Sequence, residues 1–160
     1  MTAEKANEET DFDPIYIYDL NGNRISMIDP TGLTKYTYDE LNRLTSITNN
    51  IGQTTTFTYD ALGRRTSMTH DNGVVTNYTY DAASQLLSLV HQLGATTINS
   101  FSYTYDKVGN RETKTDNNGT ANYTYDTLNR LVEATNPIPS NPLESFTHDD
   151  DKGSNPLLAF

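Results

Sequence analysis

Alternation organises this chain. In Tyr36-Thr37-Tyr38 and its relatives, aromatic positions alternate with threonine. A period of two puts both rings on one face of a β-strand and the threonine on the other. The Asp that follows opens a turn, because its carboxylate accepts hydrogen bonds from nearby backbone amides. Three residues later stands Gly22, Asn42, Gly63, Gly109 or Asn129, types that tolerate positive φ. Ser84 holds that place in one copy, which predicts a different or strained turn. A second strand follows, written "RISMI" from Arg24, "RLTSI" from Arg43, "RTSMT" from Arg65 and "LLSLV" from Leu86. Return turns read "DPTG" at Asp29, "NNIG" at Asn49, "HDNG" at His70 and "DNNG" at Asp116. Asn/Asp-rich turns ending in Gly between alternating strands mark β-hairpins. The pattern predicts an all-β chain, an antiparallel meander of repeated hairpins.

The hairpin recurs. Tyr18-Asp19, Tyr38-Asp39, Tyr59-Asp60, Tyr80-Asp81, Tyr105-Asp106 and Tyr125-Asp126 stand 20, 21, 21, 25 and 20 residues apart. All 11 tyrosines lie in this phrase: Tyr16, Tyr18, Tyr36, Tyr38, Tyr59, Tyr78, Tyr80, Tyr103, Tyr105, Tyr123 and Tyr125. Phe57 replaces the first ring in the third copy. A degenerate seventh copy is read at Phe146-Thr147-His148-Asp149. The long step before Tyr105 contains "HQLGATTINS", read as a longer connection at one rim. The domain reading is an acidic tail over 1–13, six hairpins over 14–135, and the seventh copy with a polar tail over 136–160. A single hairpin is marginal in water, so each must pair with the next. Stacked units of this kind depend on their neighbours.

Composition narrows the function. Only 34 % of the residues are hydrophobic, against roughly 45–50 % in ordinary globular chains when glycine is counted. Much of the apolar surface is therefore tyrosine, whose hydroxyl needs a partner when covered. The net charge is −10, with clusters of acid in both tails, and such a chain repels phosphate backbones. Nucleic acid is thus disfavoured as a partner. There is no Cys, and no apolar run of the roughly 18 residues that a membrane span needs. No ordinary secretory signal is visible at the N-terminus.

The phrase Tyr-x-Tyr-Asp-x-x-Gly/Asn-Asn/Arg-Arg/Leu, as in "YIYDLNGNRISM" from Tyr16 and "YTYDKVGNRETK" from Tyr103, resembles the YD repeat of the Rhs family. The resemblance covers roughly residues 14–135. That family includes bacterial Rhs polymorphic toxins, the cocoon-forming components of Tc insecticidal toxins, and the teneurin adhesion proteins. The resemblance implies a curved, twisted sheet strip, part of a shell that encloses or presents a toxin or effector, secreted or at the cell surface. It implies the remainder of a longer shell as partner, with self-association through the sheet edges near 14–18 and 131–135 as the alternative. The shell-closing core and a toxin segment are not recognised here, so a fragment of a longer protein is expected. "DPTG" at Asp29 superficially resembles a core motif but sits in a return turn.

Other chemistry is poorly served. "DLNGN" and "DNNG" lack the terminal Glu that an EF-hand-type calcium loop requires. His70 falls in a predicted turn, His91 at a strand end and His148 at a Tyr position, with no triad-like context. Aspartates recurring in register argue for turn-making rather than paired-carboxylate hydrolysis. No enzyme activity, metal or cofactor is expected. Asn77, Asn118 and Asn122 fit a glycosylation acceptor pattern, read as a product of composition. A tyrosine-lined face could stack sugars, so a carbohydrate-binding or cell-adhesion module is the alternative function. The residues that define the repeat are Tyr16, Tyr18, Asp19, Gly22; Tyr36, Tyr38, Asp39, Asn42; Tyr59, Asp60, Gly63; Tyr78, Tyr80, Asp81; Tyr103, Tyr105, Asp106, Gly109; and Tyr123, Tyr125, Asp126, Asn129. Their role is read as structural.

Overall fold

The computed structural model describes residues 13–135, 137, 144–147 and 157–158. The acidic tail up to residue 12, and His148 and Asp149 of the seventh copy, lie outside the described residues. The chain forms two compact units, residues 1–58 and 59–160. The first carries β1 (Ile15–Tyr18), β2 (Arg24–Asp29), β3 (Gly32–Tyr38), β4 (Leu44–Thr48) and β5 (Thr54–Tyr59), whose last residue opens the second unit. There each strand pairs antiparallel with the next in chain order. The second unit carries β6 (Arg65–His70), β7 (Val74–Tyr80), β8 (Leu86–Leu93), β9 (Thr96–Tyr105), β10 (Arg111–Asp116), β11 (Gly119–Tyr125), β12 (Leu131–Ala134), β13 (Glu144–Thr147) and β14 (Leu157–Leu158). Its strands follow the same rule. The antiparallel meander expected from the alternation is therefore what forms, with no helix among the described residues.

The two faces of the strands differ as the period of two requires. In β3, Thr34, Tyr36 and Tyr38 are half-buried while Leu33, Lys35 and Thr37 are exposed. β9 and β11 repeat this, with the tyrosines half-buried and Thr104 and Thr124 exposed. No described hydrophobic side chain is buried, and the one buried residue among those described is Thr76. Stability therefore rests on contacts between neighbouring strands rather than on an apolar core.

Three sequence expectations need correction. The stretch "HQLGATTINS" is not a longer connection. It lengthens β8 and β9 to 8 and 10 residues, joined by a short turn at Gly94-Ala95. Its polar and apolar positions keep the alternation, so the ladder simply runs further, from Ser88↔Ser102 to Leu93↔Thr96. His91 consequently lies inside β8, opposite Thr76 and Asn99, not at a strand end. Residues 131–135 are not a free edge either, because Glu133 and Ala134 pair with Ser145 and Glu144 of β13. The "ESFT" segment is short, but it alternates well enough to extend the ladder.

Return turns carry a tight steric demand at Gly32 and at Gly119, where an added Cβ would lie 2.8 Å from the Pro137 Cβ. Gly32 has φ +121°, and a Cβ there would lie 2.7 Å from the Asn50 Cβ. The Asn50 amide also donates to the Thr31 carbonyl, fixing that neighbour in place. Gly52 has φ +86° with open space around it. Gly32→Ala is expected to destabilise the chain by more than about 1 kcal/mol, since strain and collision combine. Gly52→Asn is expected to cost less than about 1 kcal/mol, since Asn tolerates the left-handed region. Paired denaturant titrations of the two variants provide the measurement.

Candidate functional site

The recurring site is the rim where each Tyr-Asp phrase turns. Asp39 shows the construction. Its amide donates to the Arg43 carbonyl at 3.0 Å, and the Asn42 amide donates back to the Asp39 carbonyl at 3.0 Å. The Asp39 carboxylate accepts from the Leu41 and Arg43 amides, both at 2.9 Å. Its second oxygen accepts from Arg43 Nε at 2.7 Å. Asp60 and Asp126 repeat the arrangement with Arg64 and Arg130. Asp19 and Asp106 substitute asparagine: Asn23 and Asn110 each donate a side-chain amide to the carboxylate at 2.9 Å. Asp81 accepts from the Gln85 amide at 2.8 Å.

The third residue after Asp must adopt positive φ, and it does at Gly22, Asn42, Gly63, Ser84, Gly109 and Asn129. Ser84, at φ +66°, keeps the common turn, and its amide donates to the Asp81 carbonyl at 3.2 Å. The substitution therefore strains the turn without changing its type. Just before these turns the register slips by one residue, at Ile17/Tyr18, Thr37/Tyr38, Thr79/Tyr80 and Thr124/Tyr125. Between β9 and β10 the slip falls at Arg111/Thr113. Each slip is a β-bulge that re-aims the tyrosine.

The re-aimed ring closes a gap. The β2–β3 ladder stops at Ser26↔Lys35, short of the rim. There the Tyr38 hydroxyl donates to the Arg24 carbonyl at 3.0 Å. Tyr80 donates to Arg65, Tyr105 to Leu86 and Tyr125 to Arg111, at 3.0, 2.9 and 3.1 Å. The tyrosines thus tie consecutive turns together where main-chain pairing has ended. Side chains add links further out. Asn23 donates to Asn42 at 2.7 Å, Asn110 to Asn129 at 2.9 Å, and Arg64 Nη1 to the Asp81 carbonyl at 2.8 Å. Sequence reasoning singled out the Asp and the Gly/Asn but missed the working role of the next residue. Its signal is the Asn, Arg or Gln that stands four places after every turn Asp.

The first tyrosines lie on the same face with a different task. Arg24 sits 5.5 Å from the Tyr16 ring centre and 4.5 Å from that of Tyr36. Arg111 sits 6.0 Å from Tyr103 and 4.4 Å from Tyr123, and Arg65 lies 6.0 Å from Tyr78. The opposite face carries paired hydroxyls, such as Thr37 with Ser46 and Thr79 with Ser88, each at 2.7 Å. His91 Nδ1 lies 2.9 Å from the buried Thr76 hydroxyl, and the His91 ring meets Phe101 edge-on. His70 ends β6, where its carbonyl caps the return turn by accepting from Gly73. Asp29 likewise works in its return turn, accepting from the Thr31 and Gly32 amides.

The family profile described as RHS Repeat matches residues 18–50, 38–75 and 105–137. This chain belongs to the RHS repeat family. No curated protein matches it. Among solved structures it is similar to the crystal structure of TcdB2-TccC3-Cdc42, with a TM-score of 0.70 and 20 % identity over 85 % of this chain. The crystal structure of TcdB2-TccC3 gives 0.68 and 22 %, again over 85 %. That of TcdB2-TccC3 without its hypervariable C-terminal region gives 0.69 and 22 % over the same share. At such identities the likeness is one of fold. The RHS repeat chain spans only 8–9 % of the length of those chains.

Two measurements test the rim. Tyr105→Phe removes the donor to Leu86 and is expected to cost about 0.5–1.5 kcal/mol. Tyr16→Phe, whose ring lies beside Arg24 and whose hydroxyl makes no bond among the described residues, should stay within about 0.5 kcal/mol. Denaturant unfolding separates the two. The second test is acid. The side-chain amide of Asn23, and secondarily backbone amides, hold the Asp19 carboxyl below its ordinary 3.8. For Asp39 and Asp126 the largest lowering cause is the backbone amide of Arg43 or Arg130. At Asp60 and Asp106 desolvation raises the value, but the bonds from Arg64 and Asn110 outweigh it. A carboxyl depressed by folding stabilises the chain above its unfolded value, and that contribution is lost as pH falls toward the folded value. The thermal midpoint is expected to drop as pH falls below about 4. Asp60→Asn should lower the midpoint at neutral pH and flatten the acid slope.

Proposed function

We propose that this chain is a non-catalytic structural segment of a larger Rhs-type shell that encloses or presents a toxin or effector. One observation carries the reading. The repeated groups able to do chemistry are spent on holding the chain: turn carboxylates on amides and Arg or Asn, and tyrosine hydroxyls on carbonyls. A site built six times, with its acids already bonded, is the signature of scaffolding rather than of proton transfer. The fold likeness to TcdB2-TccC3 chains many times longer supports a segment that works beside further repeats. Secretion or surface presentation follows from the same reading.

The alternative, carbohydrate binding, has its best support in a groove of about 380 Å³ lined by Lys114, Asp116, Asn118, Tyr123 and Glu144. It joins a ring to polar groups, as sugar sites do. A glycan array separates it from the scaffold reading, and no bound glycan removes it.

Among the described residues β1 pairs with β2 alone, and all four of its residues are exposed. An unpaired strand edge templates pairing with other chains. Sedimentation velocity over a concentration series is therefore expected to show self-association of the isolated chain. A sharp, concentration-independent monomer that melts cooperatively would overturn the segment reading in favour of a self-contained domain.

A further inference from the structure

The residue after each rim turn alternates along the chain: Arg24, Leu44, Arg65, Leu86, Arg111, Leu131. The turn explains two of these arginines. In "NRL" copies the arginine stands one place earlier, as Arg43 and Arg130, and is bound to the turn Asp at 2.7 and 2.6 Å. In "GNR" copies Asn23 and Asn110 take over that bond, and the arginine moves one place on, from the rim to the tyrosine face. The same charge is thus redeployed. Among the described residues Arg24 and Arg111 make no ion pair and no side-chain hydrogen bond. This is unusual in a chain with 21 acidic and 11 basic residues, where a carboxylate partner is readily supplied.

We propose that these two Tyr–Arg–Tyr clips, Arg24 between Tyr16 and Tyr36 and Arg111 between Tyr103 and Tyr123, are carboxylate-binding sites. The rings hold each guanidinium by its face. Its edge, a planar fork of N–H donors, stays available and matches the two oxygens of a carboxylate. Preorganisation by the rings lowers the side-chain entropy lost when a ligand binds. The turn carboxylates beside the clips, Asp19 and Asp106, are already engaged by Asn23 and Asn110 and do not compete. The protein's own negative charge opposes anions in general, so recognition falls to the local match between the guanidinium fork and a carboxylate. Both acidic polypeptide segments and uronic-acid saccharides carry that chemistry. The inference stands apart from the shell reading, because the clips exist within single units.

Phenylglyoxal modification of the full chain, followed by peptide mass spectrometry, tests it. Hexaglutamate and a hexamer of galacturonic acid are the two probes, at physiological salt. Arg43, Arg64 and Arg130, already paired, serve as internal references in the same sample. Modification of Arg24 and Arg111 is expected to slow about fivefold at probe four times over its dissociation constant, with the references unchanged. Protection by hexaglutamate alone assigns a polypeptide ligand, by the galacturonate alone an acidic saccharide, and by both the shared carboxylate. A variant carrying Asn23→Arg with Arg24→Leu, and Asn110→Arg with Arg111→Leu, adopts the arrangement of the chain's own "NRL" turns. It should keep the circular dichroism of the parent and lose calorimetric binding of the protecting probe. No protection by either probe, equal protection of the reference arginines, or undiminished binding by the variant overturns the proposal.

Discussion

The bond from each turn carboxylate to the amide four residues on, joined in every copy but that of Asp81 by a bond to the amide two residues on, is the constraint from which the rest of the structure follows. One oxygen of Asp39 holds the Leu41 and Arg43 amides together, which closes the turn and forces Asn42 into positive φ. The closed turn leaves one residue too many on the returning strand, and the register slips beside Tyr38. The slip turns the Tyr38 hydroxyl toward the Arg24 carbonyl of the previous turn. Turn, bulge and tyrosine are therefore one device, and removing the carboxylate loosens all three.

This device substitutes for a core. With no described hydrophobic side chain buried, the usual burial of apolar surface contributes less than in a two-layer domain. Neighbouring strands hold one another through the ladder, the hydroxyl pairs of one face and the ring–guanidinium contacts of the other. Each of these contacts is worth a modest amount alone. They recur along the chain, so the sum grows with the number of units, and each interior unit depends on its neighbours.

A repeat can carry scaffold and recognition in one phrase, because a one-residue shift moves a charge from one to the other. "NRL" places arginine on the turn Asp, whereas "GNR" places it between two rings. Gly, rather than Asn, accompanies the second form at the left-handed position, with φ +83° at Gly22 and +96° at Gly109 against +59° at Asn42.

The sequence by itself determined the strands, their antiparallel order and the turns, because these follow from local periodicity and from residue types that tolerate particular φ. It located Asp39–Arg43, Asp60–Arg64 and Asp126–Arg130 as turns, and those residues close them. Ser84 was legible as strained but not as retaining the common turn, since whether strain changes a turn depends on the neighbours that hold it. The stretch 91–100, where β8 and β9 meet, read as a longer connection because polar residues such as His91 and Asn99 interrupt the apolar signal without breaking the alternation. Only the tertiary structure decided where the tyrosine hydroxyls go. Their acceptors are backbone carbonyls 14 to 19 residues away, and a carbonyl carries no side-chain identity that a sequence pattern could reveal.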